Sequence, residues 1–168
     1  MVWKMYLGLF EFSKYNRSMK KYLPWILLGV GLMAIDQASK LWVKLYLGQE
    51  VVEIFGEFFR FIYSENFGIA FSIPIPLILL IAFNTILICL LPWMASKELN
   101  ISSKITLSAL TLVIAGGLGN LIDRFVWGFV VDFISIWKYP IFNIADIYIF
   151  VGVLLVIICY GKIKRIEK

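Results

Sequence analysis

A chain of 168 residues that is 61% hydrophobic, with mean hydropathy +0.88, is too apolar for water. Soluble domains are about 45–50% apolar, so lipid is its expected solvent and one compact membrane domain its capacity. It has no histidine, which excludes Ser-His-Asp and Cys-His triads and His-Glu-x-x-His zinc sites, and its net charge of +5 sits in Lys and Arg at the edges of apolar runs, the pattern of membrane orientation and not of nucleic-acid binding.

Residues Met1 to Lys21 are polar to mildly amphipathic and end in Lys14, Arg17, Lys20 and Lys21. Met19, just before an apolar run, is an alternative start that would make the residues ahead of it optional. A cleaved signal peptide is disfavoured, because Asp36-Gln37 interrupts any Ala-x-Ala site. The first predicted span, 22–41, has the length needed to cross a hydrocarbon core of about 30 Å. Asp36 and Lys40 stand four apart on one helix face and can pair. They serve either as a structural ion pair near the interface or as a substrate contact. Trp42 and Tyr46 suit an interfacial aromatic belt.

The stretch 48–73 is the longest outside the spans. Val51–Phe55 and Phe58–Tyr63, around Gly56-Glu57, predict a β-hairpin. It is too apolar for a solvated linker, and two strands alone are marginal. It is therefore expected on the membrane surface or against the helices. Asn66 and Gly68 in Glu65–Phe71 mark either a turn with unusual backbone angles or a plain loop. Pro74 and Pro76 open the second span, 77–95, where Asn84 and Thr85 are expected to bond across helices. A polar turn, 96–104, leads to the third span, 105–121. Its end carries Ala115, Gly116, Gly117 and Gly119, small enough to let helices approach closely. Asn120 and Asp123 share a face, and Arg124 closes the span.

Phe125–Tyr139 reads as a loop. The fourth span, 141–160, has Pro140 at its entrance as a first-turn proline, with Asn143 and Asp146 on one face of the first turn. The apolar runs also hold Cys89 and Cys159, read as small apolar side chains and not as a disulfide or metal site. Four spans put both termini on one side. Five Lys and Arg precede Tyr22, two lie in 96–104 and four in the tail, against five elsewhere. This bias orients the termini to the cytoplasm and puts the hairpin, Asp132 and Asp146 on the outer side.

Charges beside hydrocarbon are costly and therefore informative. Asp123 is expected to be structural, held by Arg124 or its surroundings. Asp132 and Asp146 have no cation next to them in sequence, and the helix hairpin between them lets them meet at the interface. Two close, poorly solvated carboxylates share a proton, and one pKa rises. Such a pair can act as base and acid in attack of water on a carbonyl, as in aspartic proteases. Alternatively, Asp132 caps a helix and Asp146 sits at a helix N-terminus for structural reasons. A small proton-coupled carrier would also hold Asp, Asn and Arg in the membrane, but near the midplane on broken helices. A structural subunit would need no close carboxylate pair.

Five motifs in order bear on these alternatives: Asp36-Gln37-Ala38-Ser39-Lys40; Asn66-Phe67-Gly68-Ile69-Ala70-Phe71; Gly119-Asn120-Leu121-Ile122-Asp123-Arg124; Val131-Asp132-Phe133; and Phe142-Asn143-Ile144-Ala145-Asp146. Together, from about Met19 to Lys164, they closely resemble bacterial lipoprotein signal peptidase (signal peptidase II). The resemblance implies an α-helical integral membrane protein of four spans with a small extracytoplasmic β-cradle. It implies an aspartic endopeptidase of the cytoplasmic (inner) membrane that cuts prolipoproteins just before a diacylglyceryl-modified cysteine. The implied catalytic pair is Asp132 and Asp146. Asp36, Lys40, Asn66, Gly68, Asn120, Arg124 and Asn143 match positions that support the site or touch substrate. The loop before span four would act as a lid, reduced here because it is short. A monomer among membrane lipids is expected, with no metal, cofactor or nucleic acid.

Overall fold

The computed structural model describes residues 2–48, 50–68 and 75–165, with side chains from Lys20 onward. Ile69, Ala70 and Phe71 of the Asn66 turn, and Pro74, lie outside the described residues. Among the described residues, four helical segments are long and apolar enough to cross a membrane: Lys20–Leu47, Leu77–Glu98, Lys104–Val126 and Ile144–Ile163. The first is the later part of α1 (Val2–Trp42) with the turn after it, and the others are α2 (Leu77–Glu98), α3 (Lys104–Val126) and α4 (Ile144–Ile163). Leu27, Ile78 and Ile158 are among the many large apolar side chains turned outward, as lipid-facing surfaces require.

α3 is central and packs on each of the other three helices. The small residues at its end do what their size predicts. A Cβ on Gly116 would strike the Ala145 carbonyl oxygen and Ile149 of α4. One on Gly119 would stand 2.5 Å from Asp36 Oδ2 of α1. α4 reciprocates at Gly152, where a Cβ would meet the Ala109 carbonyl at 2.8 Å and Val113 Cγ2 at 2.6 Å.

The polar ends depart from the expected boundaries. α1 runs on through a π-helical turn, Val43–Leu47, whose Val43 and Leu47 are buried. α2 reaches Glu98, and α3 reaches Val126, so Asp123 and Arg124 lie inside the helix and do not close it. α4 starts at Ile144 with Asn143 as N-cap, so Pro140 is in the preceding turn and not in the helix. Thr85 does not bond across helices: its hydroxyl donates to Ile81 O of its own helix (2.8 Å).

The expected hairpin becomes two strands of a three-stranded sheet. β1 (Val51–Glu53) pairs with β2 (Phe59–Asn66), and β2 pairs antiparallel with β3 (Val130–Ile136). β3 lies where a loop was expected. Its Val-Val-Asp-Phe-Ile-Ser-Ile sequence is β-branched and aromatic, and a third strand supplies the stability two lack. Val131 and Phe133 pack with Val43 and Leu47. Strand alternation sends Asp132, between them, to the other face. A register shift between Phe61 and Ser64 sets Ser64 opposite Asp132 and Asn66 opposite Val130. At the far end, Arg165 N donates to Glu98 O (2.8 Å), Asn100 N to Ile163 O (2.7 Å) and Lys21 Nζ to Ser102 Oγ (2.9 Å), which draws the tail and the middle of α1 to the α2–α3 turn.

The α3–α4 contact yields a test. Gly152→Ala places a methyl against the Ala109 carbonyl, and overpacking of this kind costs about 1–3 kcal/mol. Gly31, with nothing within 4 Å of an added Cβ, is the control. Thermal melts in detergent should show Gly152→Ala melting several degrees below the parent and Gly31→Ala at or above it.

Candidate active site

The polar residues at the sheet end of the helices form one connected network with Lys40 at its root. Lys40 is 3% exposed and its ammonium donates to Asp36 Oδ2 (2.8 Å), Asp123 Oδ2 (2.9 Å) and Asn120 Oδ1 (3.0 Å). An ammonium has three protons, so all are spoken for. Both carboxylates are saturated in turn. Asp36 Oδ1 accepts from Ala145 N (2.9 Å) at the start of α4. Asp123 accepts from Gln37 Nε2 (2.9 Å) and from Val131 N (3.2 Å) at the start of β3. The ion cluster thus ties α1 and α3 to the elements that carry Asp132 and Asp146. The expected Asp36–Lys40 pair is present, and Asp123 pairs with Lys40 and not with its neighbour Arg124.

Above this base, three carboxamides orient two carboxylates. Because Lys40 holds the oxygen of Asn120, the amide nitrogen of Asn120 faces Asp146 and donates to Oδ1 (2.8 Å). Asn143 is fully buried and touches both acids. Its Nδ2 donates to Asp132 Oδ1 (2.6 Å) and Asn120 Oδ1 (3.1 Å), its Oδ1 accepts from Asp146 N (3.0 Å), and its backbone N–H donates to Asp146 Oδ2 (3.2 Å). The last two bonds are a reciprocal capping box that fixes the first turn of α4. Asn66 completes the set. Its oxygen accepts from Gly68 N (3.0 Å), which turns its nitrogen to Asp132 Oδ2 (2.9 Å). Arg124 Nη2 donates to Gly68 O (3.2 Å), and its Nε meets no acceptor among the described residues.

The two acids differ in setting. Asp132 is 2% exposed, and burial first, then the nearby Asp146 charge, pushes its pKa up to about 7 against the pull of Asn66 and Asn143. Asp146 is half-buried and borders an apolar pocket of about 900 Å³ between the β1–β2 tip, the turn after β3 and α4. Phe58, Trp137, Tyr139, Phe142 and Phe150 supply much of its wall. Trp137 adopts φ 47°, uncommon for a bulky residue, and its N–H donates to Phe58 O (2.8 Å). Two carboxylates joined through Asn143 beside an apolar pocket have the makeup needed to activate water against a carbonyl held in that pocket. Among the described residues, no three His, Cys, Asp or Glu side chains group as metal ligands.

All nine residues singled out from sequence lie in this network: Asp36, Lys40, Asn66, Gly68, Asn120, Arg124, Asp132, Asn143 and Asp146. Sequence reading missed the links from Asp123 to Gln37 and to Lys40, which span more than eighty positions and leave no local pattern. It also missed the aromatic pocket wall, although Trp137 and Tyr139 on so short a connection were a usable signal.

Residues 28–161 match the model of the family described as Signal peptidase (SPase) II. A lipoprotein signal peptidase of Moorella thermoacetica is 34% identical over 139 residues, 82% of this chain and 91% of that protein. One from Shewanella sp. strain MR-4 is 39% identical over 149 residues, 80% of this chain and 84% of its own. A solved bacterial membrane enzyme superposes with TM-score 0.75 at 30% identity, covering 83% of this chain and 88% of that one.

Two stability predictions follow from the geometry. Lys40→Met strands Asp36 and Asp123 in a buried site, and removal of one partner of a buried pair costs about 3–5 kcal/mol. Exposed Lys138→Met should stay within about 0.5 kcal/mol of the parent in the same melts. The second concerns pH. The Asp132 pKa is raised on folding from 3.8 to about 7, so its contribution is fully present below pH 4 and is lost as pH rises through 7. Asp132→Asn removes that dependence. The melting temperature of Asp132→Asn minus that of the parent should increase from pH 4 to pH 8, and a flat difference would contradict the raised pKa.

Proposed function

The chain belongs to the signal peptidase II family, and from that premise we propose that it is an aspartic endopeptidase whose acid–base pair is Asp132 and Asp146. Its substrate is a prolipoprotein bearing a diacylglyceryl-modified cysteine, and the bond broken is the one just before that cysteine. The observation that carries the pairing is Asn143, a single buried residue bonded to both carboxylates at 2.6 Å and 3.2 Å.

Asp132, the more buried acid, holds the shared proton. Asp146, at the pocket wall, takes a proton from water as the water oxygen attacks the scissile carbonyl carbon. Asp132 gives its proton to the carbonyl oxygen, which yields a neutral tetrahedral diol. Collapse returns that proton to Asp132 while Asp146 protonates the departing amine nitrogen, so both acids end as they began. Asn66 and Asn143 keep donors on Asp132 throughout, and Asn120 keeps one on Asp146.

The membrane supplies the remaining alignment. The Lys and Arg bias supports termini in the cytoplasm and the pair at the outer face of the inner membrane. Phe55, Phe58, Trp137 and Tyr139 are exposed at the same end as the acids, as an interfacial belt would be. Acyl chains left in the bilayer, at about 0.8 kcal/mol per buried methylene, would hold the scissile bond at this height. Binding energy remote from the bond is thereby used to orient it.

Cleavage of a lipidated prolipoprotein by purified enzyme tests the pair. Asp132→Asn and Asp146→Asn keep the side-chain shape and lose the proton chemistry, so each should lose at least about 10²–10⁴-fold in rate while the protein still inserts and folds. Near-normal turnover by either refutes the assignment. Lipidated and unlipidated forms of one substrate, both anchored by the same signal helix, test the role of the diacylglyceryl group. The lipidated form should be cut much faster, and equal rates would make this a general signal-peptide cutter.

A further inference from the structure

The α1–α3 seam, between the polar network and the far end, carries a feature that the proposed cleavage does not use. A groove of about 360 Å³ runs between α1 and α3, walled by Tyr22, Trp25 and Met33 on one side and Leu107 and Leu118 on the other. Gly29 and Thr111 form its floor, with room for a Cβ on Gly29 to meet only Thr111 Cγ2, at 3.5 Å. From Tyr22 to Met33 is about 17 Å of helix at ~1.5 Å per residue. That is slightly more than half of a hydrocarbon core of about 30 Å, the depth of one leaflet.

The dimensions select the occupant. About 360 Å³ spread over about 17 Å makes a narrow channel, open along one side, of the width of a single extended hydrocarbon chain. The mouth is basic. Lys21 lies over the Tyr22 ring (5.2 Å to its centroid) and donates to Ser102 Oγ (2.9 Å), and Lys104 begins α3 two residues further on. Both lysines are exposed, and among the described residues neither pairs with a carboxylate. Basic pockets between membrane helices at a leaflet surface take anionic headgroups.

We propose that this groove binds one acyl chain of an anionic phospholipid, with the phosphate held by Lys21 and Lys104. The site is independent of Asp132 and Asp146, and its occupant is a bilayer lipid and not the substrate. It fastens α1 to α3 in the leaflet opposite the acids.

Native mass spectrometry of the full chain, titrated with phosphatidylglycerol and with phosphatidylcholine of the same acyl composition, tests this. One phosphatidylglycerol should bind about tenfold more tightly than phosphatidylcholine. The double variant Lys21→Gln/Lys104→Gln should lose that preference and keep cleavage activity. Gly29→Phe should abolish retention of both lipids at the site. Ile26→Trp, at a lipid-facing position beside the groove, serves the same purpose if Gly29→Phe fails to insert. Equal affinity for the two lipids, a preference that survives loss of both lysines, or retention unchanged by the groove variants overturns the proposal. So does a dimer that the groove variants abolish, which would give the groove to a second copy.

Discussion

The buried ammonium of Lys40 is the constraint from which the rest of the polar end follows. A cation at 3% exposure beside hydrocarbon is tolerable only when every proton has an acceptor and the charge is balanced. Asp36, Asp123 and Asn120 accept the three protons, the two carboxylates more than offset the charge, and each carboxylate then has an oxygen left over. Asp36 gives its spare oxygen to the first turn of α4, and Asp123 accepts from the N-terminal end of β3. The third proton of Lys40 selects the orientation of Asn120, whose nitrogen is then committed to Asp146. One point charge therefore sets the relative placement of a helix, a strand and an amide. The glycine at 119 belongs to the same arrangement, since a side chain there would occupy the space of the Asp36 carboxylate.

The environment of the two acids is built from amides and not from further charges. Amides hold a carboxylate in position without deciding its protonation as strongly as a cation would. Asp132, with amide donors on both oxygens and almost no water, remains close to the neutral range, where a proton can be accepted or given at little cost. Had Lys40 reached Asp132 directly, the acid would be fixed in its ionised form. The distance is kept by Asn120 and Asn143, which stand between the cation and Asp132.

Sequence alone carried the four spans, because twenty-residue apolar runs leave little choice of structure. It carried the list of polar residues at the site for the same reason: charges and amides at the rim of such runs stand out. Helix ends were less legible. α3 extends past Leu121 because Asp123 and Arg124 are solvated by protein partners rather than by water, and no local signal announces those partners. β3 was concealed because its mate is β2, more than sixty positions earlier, and a lone strand after a helix reads as a connection. Asp123 was read as held by Arg124 or by its surroundings, and it is the surroundings that hold it: neighbours on a helix point in different directions, and the cation comes from α1.

The capping box at the start of α4 has a further consequence. Asp146 is at once a reacting group in the proposed chemistry and a structural part of a helix terminus, since it accepts the Asn143 N–H and is held through its own N–H by Asn143. Asp132 belongs to a sheet that packs on the end of α1. A molecule that grips both carboxylates would do more than exclude substrate. It would rivet a strand to a helix end and so stiffen the joint between the sheet and the membrane helices. Ligands of this kind should quiet motion far beyond their own footprint, and their strength should depend on how loose that joint is when empty.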